Sequence, residues 1–261
     1  MGTVTTEALA LRRTPFGETS QIAEFMTRDR GRVGLILKGV HREKSRMGGA
    51  VDLLDHCMLT WSERRGSRSL APLRERRVLD HHPKLRARED LLGSGLYLVE
   101  LLLLLAPSGQ RLPSLFDLSV RWVDALEASP EPAALPALVF ALESGFLRMT
   151  GFEPVLDRCV SCDRRPSGHR VLRCDPARGG IVCSACREPG DESFPLSSAA
   201  ARMVGELAGT DPGRVASVTI PRDITNDLRR FFDRTYVHLL ERRPRCAPLL
   251  PSMGPTKETV T

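Results

Sequence analysis

The chain has 261 residues, of which 41% are hydrophobic and 27% are charged. This ordinary globular composition excludes fibrous, collagen-like and wholly disordered proteins, and the length suits one large domain or two small ones. The apolar run Leu101–Ala106 is far shorter than the roughly 20 residues of a membrane span. The first residues lack the basic and apolar regions of a secretory signal. We therefore expect a soluble cytoplasmic protein with no membrane partner.

The positive charge of the chain is concentrated in its first third. Residues 1–88 hold 18 of the 38 Lys and Arg residues but only 10 of the 32 Asp and Glu residues. The remaining residues carry a slight negative excess. A compact basic domain favours a polyanion such as nucleic acid as its partner.

The first 80 residues show the short alternating pattern of β-strands, separated by Gly-containing turns. The predicted strands are Thr3–Leu11, Ser20–Thr27, Val33–Val40, Leu53–Ser62 and Ser67–Arg74. Five short strands in so few residues are typical of a small barrel of the oligonucleotide-binding (OB) kind, with an SH3-like barrel as the competing topology. Residues 1–80 are therefore predicted to form a basic OB-fold domain.

A helical period begins after Pro83 and extends to residue 243. The predicted helices are Arg88–Leu105, Leu115–Leu126, Pro136–Met149, Ser197–Leu207 and Asp223–Arg242. From residue 244 to 261 the chain is rich in proline and lacks periodicity, which predicts a disordered tail. The fold class is thus α+β, with a barrel followed by a helical domain of residues 81–243.

Four cysteines interrupt the helical region in the pattern Cys-x2-Cys, 20 residues, Cys-x2-Cys. They are Cys159, Cys162, Cys183 and Cys186. Two such pairs complete the tetrahedron of a structural zinc site, so we predict one zinc ion within a module of about residues 155–190. Four sulfur ligands leave no open position for a reacting water. Cys174 lies between the pairs and stays an alternative ligand.

No phosphate-binding loop, zinc-protease motif or nucleophile elbow occurs in the sequence. We therefore expect no enzymatic activity and no catalytic residues. Two alternatives stay open. One is a zinc-ribbon adaptor whose barrel binds protein, and the other is an unrecognised hydrolase or nuclease that uses scattered carboxylates.

Several short motifs occur in an order that resembles the bacterial recombination mediator family RecO. They are Thr14-Pro15-Phe16-Gly17-Glu18, Lys38-Gly39-Val40-His41-Arg42, Gly151-Phe152-x-Pro154 and the two cysteine pairs. The resemblance runs from about residue 4 to 240. It implies a protein that binds single- and double-stranded DNA, anneals complementary strands and acts with RecR, and with RecF, to load RecA onto strands coated by single-strand-binding protein. It also implies a bacterial protein associated with the nucleoid.

Two basic clusters of the barrel are the candidate DNA contacts. The first cluster follows the third strand and consists of Lys38, Arg42, Lys44 and Arg46. The second cluster precedes the third strand and consists of Arg28, Arg30 and Arg32. Both clusters are expected at strand ends, where they would contact phosphates without sequence preference. The aromatic residues Phe16, Phe25 and Trp61 are each expected in the core, so the barrel is expected to grip the backbone and leave the bases free.

Overall fold

The computed structural model describes residues 2–42, 49–63, 70–128, 131–166, 168 and 170–250. The chain forms two compact units, Met1–Val123 and Asp124–Thr261. The first unit contains the barrel and the helices that follow it, and the second contains the cysteine module and the remaining helices.

The barrel consists of five strands that close in the order β1-β2-β3-β5-β4. Their bounds are β1 Gly2–Phe16, β2 Ser20–Thr27, β3 Gly31–Leu37, β4 His56–Glu63 and β5 Ala71–Asp80. All pairings are antiparallel except that of β3 with β5. This is the OB topology, so the prediction of an OB-fold barrel is confirmed and the SH3-like alternative is wrong.

Because successive side chains of a strand point to opposite faces, one face of each strand lies in the barrel core. Phe25, Leu35, Cys57 and Trp61 pack there. Burial raises the pKa of the Cys57 thiol to about 12, so this cysteine behaves as a small apolar side chain.

Strand β1 is longer than predicted because its second half continues past the core as one arm of a hairpin with β2. The register shifts between Ala10 and Arg12, which marks a bulge where β1 leaves the core. Strand β5 begins later than predicted and runs on to Asp80. The sequence pattern thus located each strand but not its ends, which depend on cross-strand partners.

Three helices follow the barrel: α1 Pro83–Ala87, α2 Glu89–Leu105 and α3 Pro113–Ala128. Helix α2 is apolar on nearly all sides and is largely buried, as its sequence predicts. Its beginning packs near the segment before β4, where a Cβ at Gly95 would overlap the side chain of Leu54. Its end reaches the start of β3, where a guanidinium N–H of Arg32 donates to the carbonyl of Leu103.

Beyond α3, the described residues of the second unit form four α-helices and a small sheet of order β6-β8-β7-β9. The bounds are α4 Leu135–Met149, β6 Val155–Cys159, β7 Val171–Asp175, β8 Gly180–Ile181, β9 Phe194–Ser197, α5 Ser198–Gly209, α6 Pro212–Val215 and α7 Arg222–Leu240. Phe140, Phe231 and Phe232 form the aromatic centre between α4 and α7. The buried Glu143 is paired with Arg229 at 2.9 Å, as a carboxylate without water requires.

The segment Pro132–Met149 is long and apolar enough to cross a membrane by length and composition alone, but 72% of it is buried inside the fold. Burial of that extent is typical of a core helix in a globular unit. The start of the predicted disordered tail also differs from the prediction. Residues 247–249 form a 3₁₀ turn and Ala247 is buried. Residues 251–261 lie outside the described residues.

Candidate metal centre and nucleic-acid interface

The four predicted cysteine ligands come together in the second unit. The Sγ atoms of Cys159, Cys162, Cys183 and Cys186 all lie within 4.8 Å of one another. The Sγ atoms of Cys162 and Cys183 are 3.7 Å apart. Thiolates at about 2.3 Å from a tetrahedral zinc ion would be about 3.8 Å apart, so this donor set fits such an ion. The cluster can therefore hold a metal ion and is compatible with zinc.

Two tight turns give the cluster its shape. In the first, Asp163 N–H donates to the carbonyl of Cys159 at 2.9 Å; in the second, Cys186 N–H donates to the carbonyl of Cys183 at 3.0 Å. Gly179 has a φ of +73°, and a Cβ at Gly180 would overlap the carbonyl of Val155. The Gly-Gly pair before the second turn is thus required for the sheet to bring both turns together.

The close packing of the four thiols shifts the pKa values of individual cysteines in opposite directions. Burial raises the pKa of Cys159, but backbone N–H donors, with Cys183 first among them, outweigh burial and lower that pKa to about 6. Hydrogen bonds with Cys162 and Cys183 raise the pKa of Cys186 to about 12, since neighbouring thiols share protons. A divalent ion would replace those protons.

Cys174 is not part of this cluster. It is 1% exposed, and burial raises its pKa to about 12. Among the residues that the structure describes, the cluster has four cysteines and Cys174 is not among them. The four cysteines that the spacing predicted as a group are thus the ones that the fold brings together, without Cys174.

In the barrel, the cluster that precedes β3 is held by the helices of the same unit. The guanidinium of Arg28 donates to both carboxylate oxygens of Asp117 in α3, at 2.8 and 3.2 Å. The Arg32 side chain lies 3.5 Å from Glu24, and its side chain is only 17% exposed. We call Arg28–Arg32 the docked end of the barrel, because its charges are met within the protein.

Backbone contacts strengthen this docking. Gly109 N–H donates to the carbonyl of Arg32 at 3.0 Å. Gly31 has a φ of +64°, and a Cβ there would overlap the backbone of Gln110. Arg111 also pairs with Asp29 at 3.3 Å. The third predicted DNA contact at this end, Arg30, is exposed, and its guanidinium donates to the backbone carbonyl of Asp29 at 3.0 Å.

The cluster that follows β3 is different. Lys38 and Arg42 are exposed on the turn after β3, and within the described part of the chain neither has an ion-pair partner. The turn is closed by Arg42 N–H, which donates to Gly39, and by His41 N–H, which donates to Thr19 of the β1–β2 hairpin. Lys44 and Arg46 lie outside the described residues.

The return of this loop to the barrel is anchored from within. The side-chain amide of Gln21 both donates to and accepts from the backbone of Val51, at 3.2 and 3.0 Å. The buried guanidinium of Arg76 donates to the carbonyl of Gly49 at 2.9 Å and lies 3.5 Å from the buried carboxylate of Asp55. Sequence reasoning missed these anchors because Gln21 and Arg76 look like ordinary polar strand residues.

Asp55 is also the centre of a wider network. His81 Nδ1 lies 2.9 Å from one of its oxygens, and Arg86 of α1 lies 3.1 Å from the same oxygen. His81 thus belongs to this network, although no motif in the sequence indicates a role for it. A charge that is 1% exposed needs several such partners to stay buried.

Sequence reasoning also missed the hairpin beside this turn. Residues 12–18 are all exposed, and they include Arg12, Arg13 and Phe16. The prediction that Phe16 belongs to the core is wrong, since its side chain is 51% exposed, whereas Phe25 and Trp61 are core residues as predicted. We call the hairpin 12–20 together with the turn 38–42 the open end of the barrel.

Comparison with known families places this chain, with its OB barrel and four-cysteine module, in a class of DNA repair proteins. The model of the recombination protein O N-terminal domain matches residues 1–81, and that of its C-terminal domain matches residues 89–246. The chain therefore belongs to the RecO family of DNA repair proteins.

Individual relatives agree with this assignment. The DNA repair protein RecO of Desulforudis audaxviator is 30% identical over 249 residues, which are 95% of this chain and 96% of the relative. That of Anaeromyxobacter sp. (strain Fw109-5) is 30% identical over 253 residues, which are 95% of each chain. That of Rhodopirellula baltica is 28% identical and covers 94% of this chain and 97% of the relative.

Proposed function

We propose that this protein is a non-enzymatic recombination mediator. It binds single- and double-stranded DNA without sequence specificity and anneals complementary strands. With RecR, and with RecF, it helps to load RecA onto DNA coated by single-strand-binding protein. It acts in the bacterial cytoplasm, in association with the nucleoid.

The observation that carries the proposal is the open end of the barrel. Lys38 and Arg42 are exposed there and have no described ion-pair partner, and they precede Lys44 and Arg46 in the same loop. Exposed cations without a protein partner are the groups that release counterions from a phosphate backbone. Contacts of this kind are independent of sequence, which suits a protein that acts on any damaged strand.

The docked end gives weaker support. Because Arg28 is neutralised by Asp117, it contributes less to a phosphate contact than an isolated arginine. We therefore assign DNA binding first to Lys38, Arg42, Lys44 and Arg46. Arg30 is a secondary contact, and Arg28 and Arg32 act mainly through the fold.

Annealing of complementary oligonucleotides tests the proposal. We expect the wild-type protein to anneal strands, with less activity as salt rises, and a variant with alanine at Lys38, Arg42, Lys44 and Arg46 to lose most of this activity. The matched control removes four exposed arginines from the second unit: Arg202, Arg214, Arg222 and Arg242. It should anneal like the wild type.

The other outcomes separate the competing functions. If the wild-type protein does not bind DNA at any salt concentration, the mediator proposal fails and a protein-binding adaptor replaces it. If DNA is cleaved in a metal-dependent way, the protein is a nuclease. If the control loses as much activity as the loop variant, net charge and not the open end carries the binding.

The cysteine cluster is proposed to hold one structural zinc ion. Four protein thiolates complete the coordination shell, so the ion supplies no open position for chemistry and serves the fold. Metal analysis of protein purified without added zinc should give about one zinc per chain. Replacement of Cys183 with serine should lower this content strongly, whereas Cys174→Ser should leave it unchanged. Equal zinc contents in the two variants would contradict the assigned ligand set.

A further inference from the structure

The hairpin between β1 and β2 extends beyond the barrel. Strand β1 pairs with β4 over residues 2–9 and with β2 over residues 8–16. Its last residues therefore have a strand partner on one side only, and both of their faces are exposed. Pro15 on this free edge blocks the addition of another strand. An exposed, edge-protected hairpin is available to contact a ligand.

Phe16 at the tip of this hairpin is the exposed aromatic residue of the described barrel. Its side chain is 51% exposed, whereas Phe25 and Trp61 are 0% and 2% exposed. Exposure of an aromatic ring to water is unfavourable, and the ring has no described aromatic neighbour. Its position is therefore better explained by a ligand than by packing.

The strand register places further apolar residues on the same outer face as Phe16. The pairing of Thr14 with Ile22 and of Ile22 with Ile36 sets these side chains side by side across three strands. Ile22 and Ile36 alternate with core residues and are half-buried on the outside. Leu70, which is 45% exposed, lies across Gly34 of β3 and ends this apolar strip.

Cations lie near the Phe16 end of the strip. The turn that carries Lys38 and Arg42 is tied to the hairpin by the hydrogen bond from His41 to Thr19. Arg12 is exposed on the same face as Phe16, four residues before it and opposite Glu24 in the strand register. A ligand that covers the ring and extends along this face can therefore reach these cations. An apolar ring with cations within reach complements a chain of flat bases joined by phosphates.

We propose that Phe16 stacks against a base of single-stranded nucleic acid whose phosphates are held by Arg12, Lys38 and Arg42. This inference rests on the proposed function and refines it, because it adds a contact to a base where the sequence predicts contacts to the backbone alone. A base inside a duplex has no free face, so the contact favours single strands. A single ring engages one base and leaves its neighbours free to pair with a complementary strand.

The test compares an oligothymidylate with an oligonucleotide of the same length whose sugars lack bases. The wild-type protein should bind the first between about fivefold and about 150-fold more tightly, as expected for one stacked base. Phe16→Ala should remove this difference and leave the affinity for the abasic strand unchanged. Phe16→Leu should behave like Phe16→Ala, since leucine is apolar but has no ring.

A matched control is available in the second unit. Phe152 is 49% exposed, so Phe152→Ala removes an equally exposed ring from a different place. It should leave the preference for bases intact. If Phe16→Ala keeps the preference, or if Phe152→Ala reduces it equally, the inference is overturned and the exposed ring is then assigned to a protein contact.

Phe16→Trp gives a direct readout of stacking. The two natural tryptophans, Trp61 and Trp122, are 2% and 0% exposed. The new indole would be the exposed one, and its fluorescence should be quenched by oligothymidylate but not by the abasic strand. Absence of quenching while DNA still binds would overturn the stacking and leave the proposed function standing. Absence of any binding to either strand would instead contradict the proposed function.

Discussion

The docked and open ends of the barrel are the two ends of one strand, yet they use their arginines differently. Strand β3 runs from Gly31 to Leu37, with a basic cluster on either side. At the docked end, Arg28 faces Asp117 and Arg32 faces the carbonyl of Leu103. At the open end, no described residue forms an ion pair with the cations of the turn. Similar local sequences thus serve an internal contact in one place and an exposed surface in the other.

This difference shows what determines the use of a basic turn. Helix α2 supplies the carbonyl of Leu103 and α3 supplies the carboxylate of Asp117. The segment between these helices supplies the backbone of Gly109 and Gln110 that covers the docked end. Among the described residues, no helix covers the turn 38–42 in this way, and the return of its loop is held from inside the barrel by Arg76 and Asp55. Charge alone therefore does not identify a ligand contact, because the availability of the charge depends on what packs against it.

The largest expected effect concerns the internal anchor of the open end. Asp55→Asn removes a buried charge that faces Arg76 and Arg86, so unfolding in urea should show a loss of about 3–5 kcal/mol, as for other broken buried pairs. Asp52→Asn is the control, since Asp52 pairs with Arg86 but is half-exposed. Equal effects of the two substitutions would mean that Asp55 is not a structural centre.

The next prediction compares the effect of alanine at two glycines on stability: Gly17 at the open end and Gly31 at the docked end. Gly17 and Gly31 have φ values of +63° and +64°, so alanine costs each a similar backbone strain of about 1 kcal/mol. Only at Gly31 would the new Cβ meet the backbone of Gln110. We expect Gly31→Ala to lose a further ~1–3 kcal/mol in thermal or urea unfolding. Equal losses would show that the docked end is not packed as described.

Single substitutions at the open and docked ends should differ in their effect on DNA affinity and on its salt dependence. Arg42→Ala removes an exposed cation, so single-strand affinity at low salt should fall by about fivefold to tenfold and the magnitude of the salt slope by about 0.7. Arg28→Ala removes a cation that Asp117 already neutralises, so the slope should stay nearly the same. Titration of labelled oligonucleotide at four salt concentrations measures both. A larger effect of Arg28→Ala would reverse the assignment of the ends.

The smallest expected effect is the pH dependence of the stability that the Arg28–Asp117 pair contributes at the docked end. The hydrogen bonds from Arg28 lower the pKa of Asp117 below its ordinary value. An acid with a lowered folded pKa contributes stability above its unfolded pKa and loses it as pH falls. The stability difference between the wild type and Arg28→Ala should therefore be constant near neutrality and shrink below about pH 4. A difference that persists at lower pH would assign the stabilisation to another contact of Arg28.

Much of the fold follows from local pattern. The alternation of β2 predicts the observed strand because one face of the strand is buried, and the spacing of the four cysteines predicts the observed cluster because each pair lies on one tight turn. The predicted helix Ser197–Leu207 likewise begins where the Ser197 side chain accepts from Ala200 N–H and caps the helix. The exposure of Phe16 could not be predicted in this way, because it depends on β1 continuing past the core. The pairing of Arg28 with Asp117 joins residues 89 positions apart, which no local pattern reveals.

The double hydrogen bond of Gln21 to Val51 gives the long β3–β4 connection a second fixed point, in addition to Leu37 at the end of β3. Of the 13 residues between these points, Val40 belongs to the barrel core and Gly49 accepts a hydrogen bond from Arg76, so the connection is anchored near both of its ends. These anchors are a buried apolar side chain and a backbone carbonyl. The polar side chains between Val40 and Gly49 can therefore be replaced without loss of either anchor, which separates the charge of the connection from the stability of the barrel.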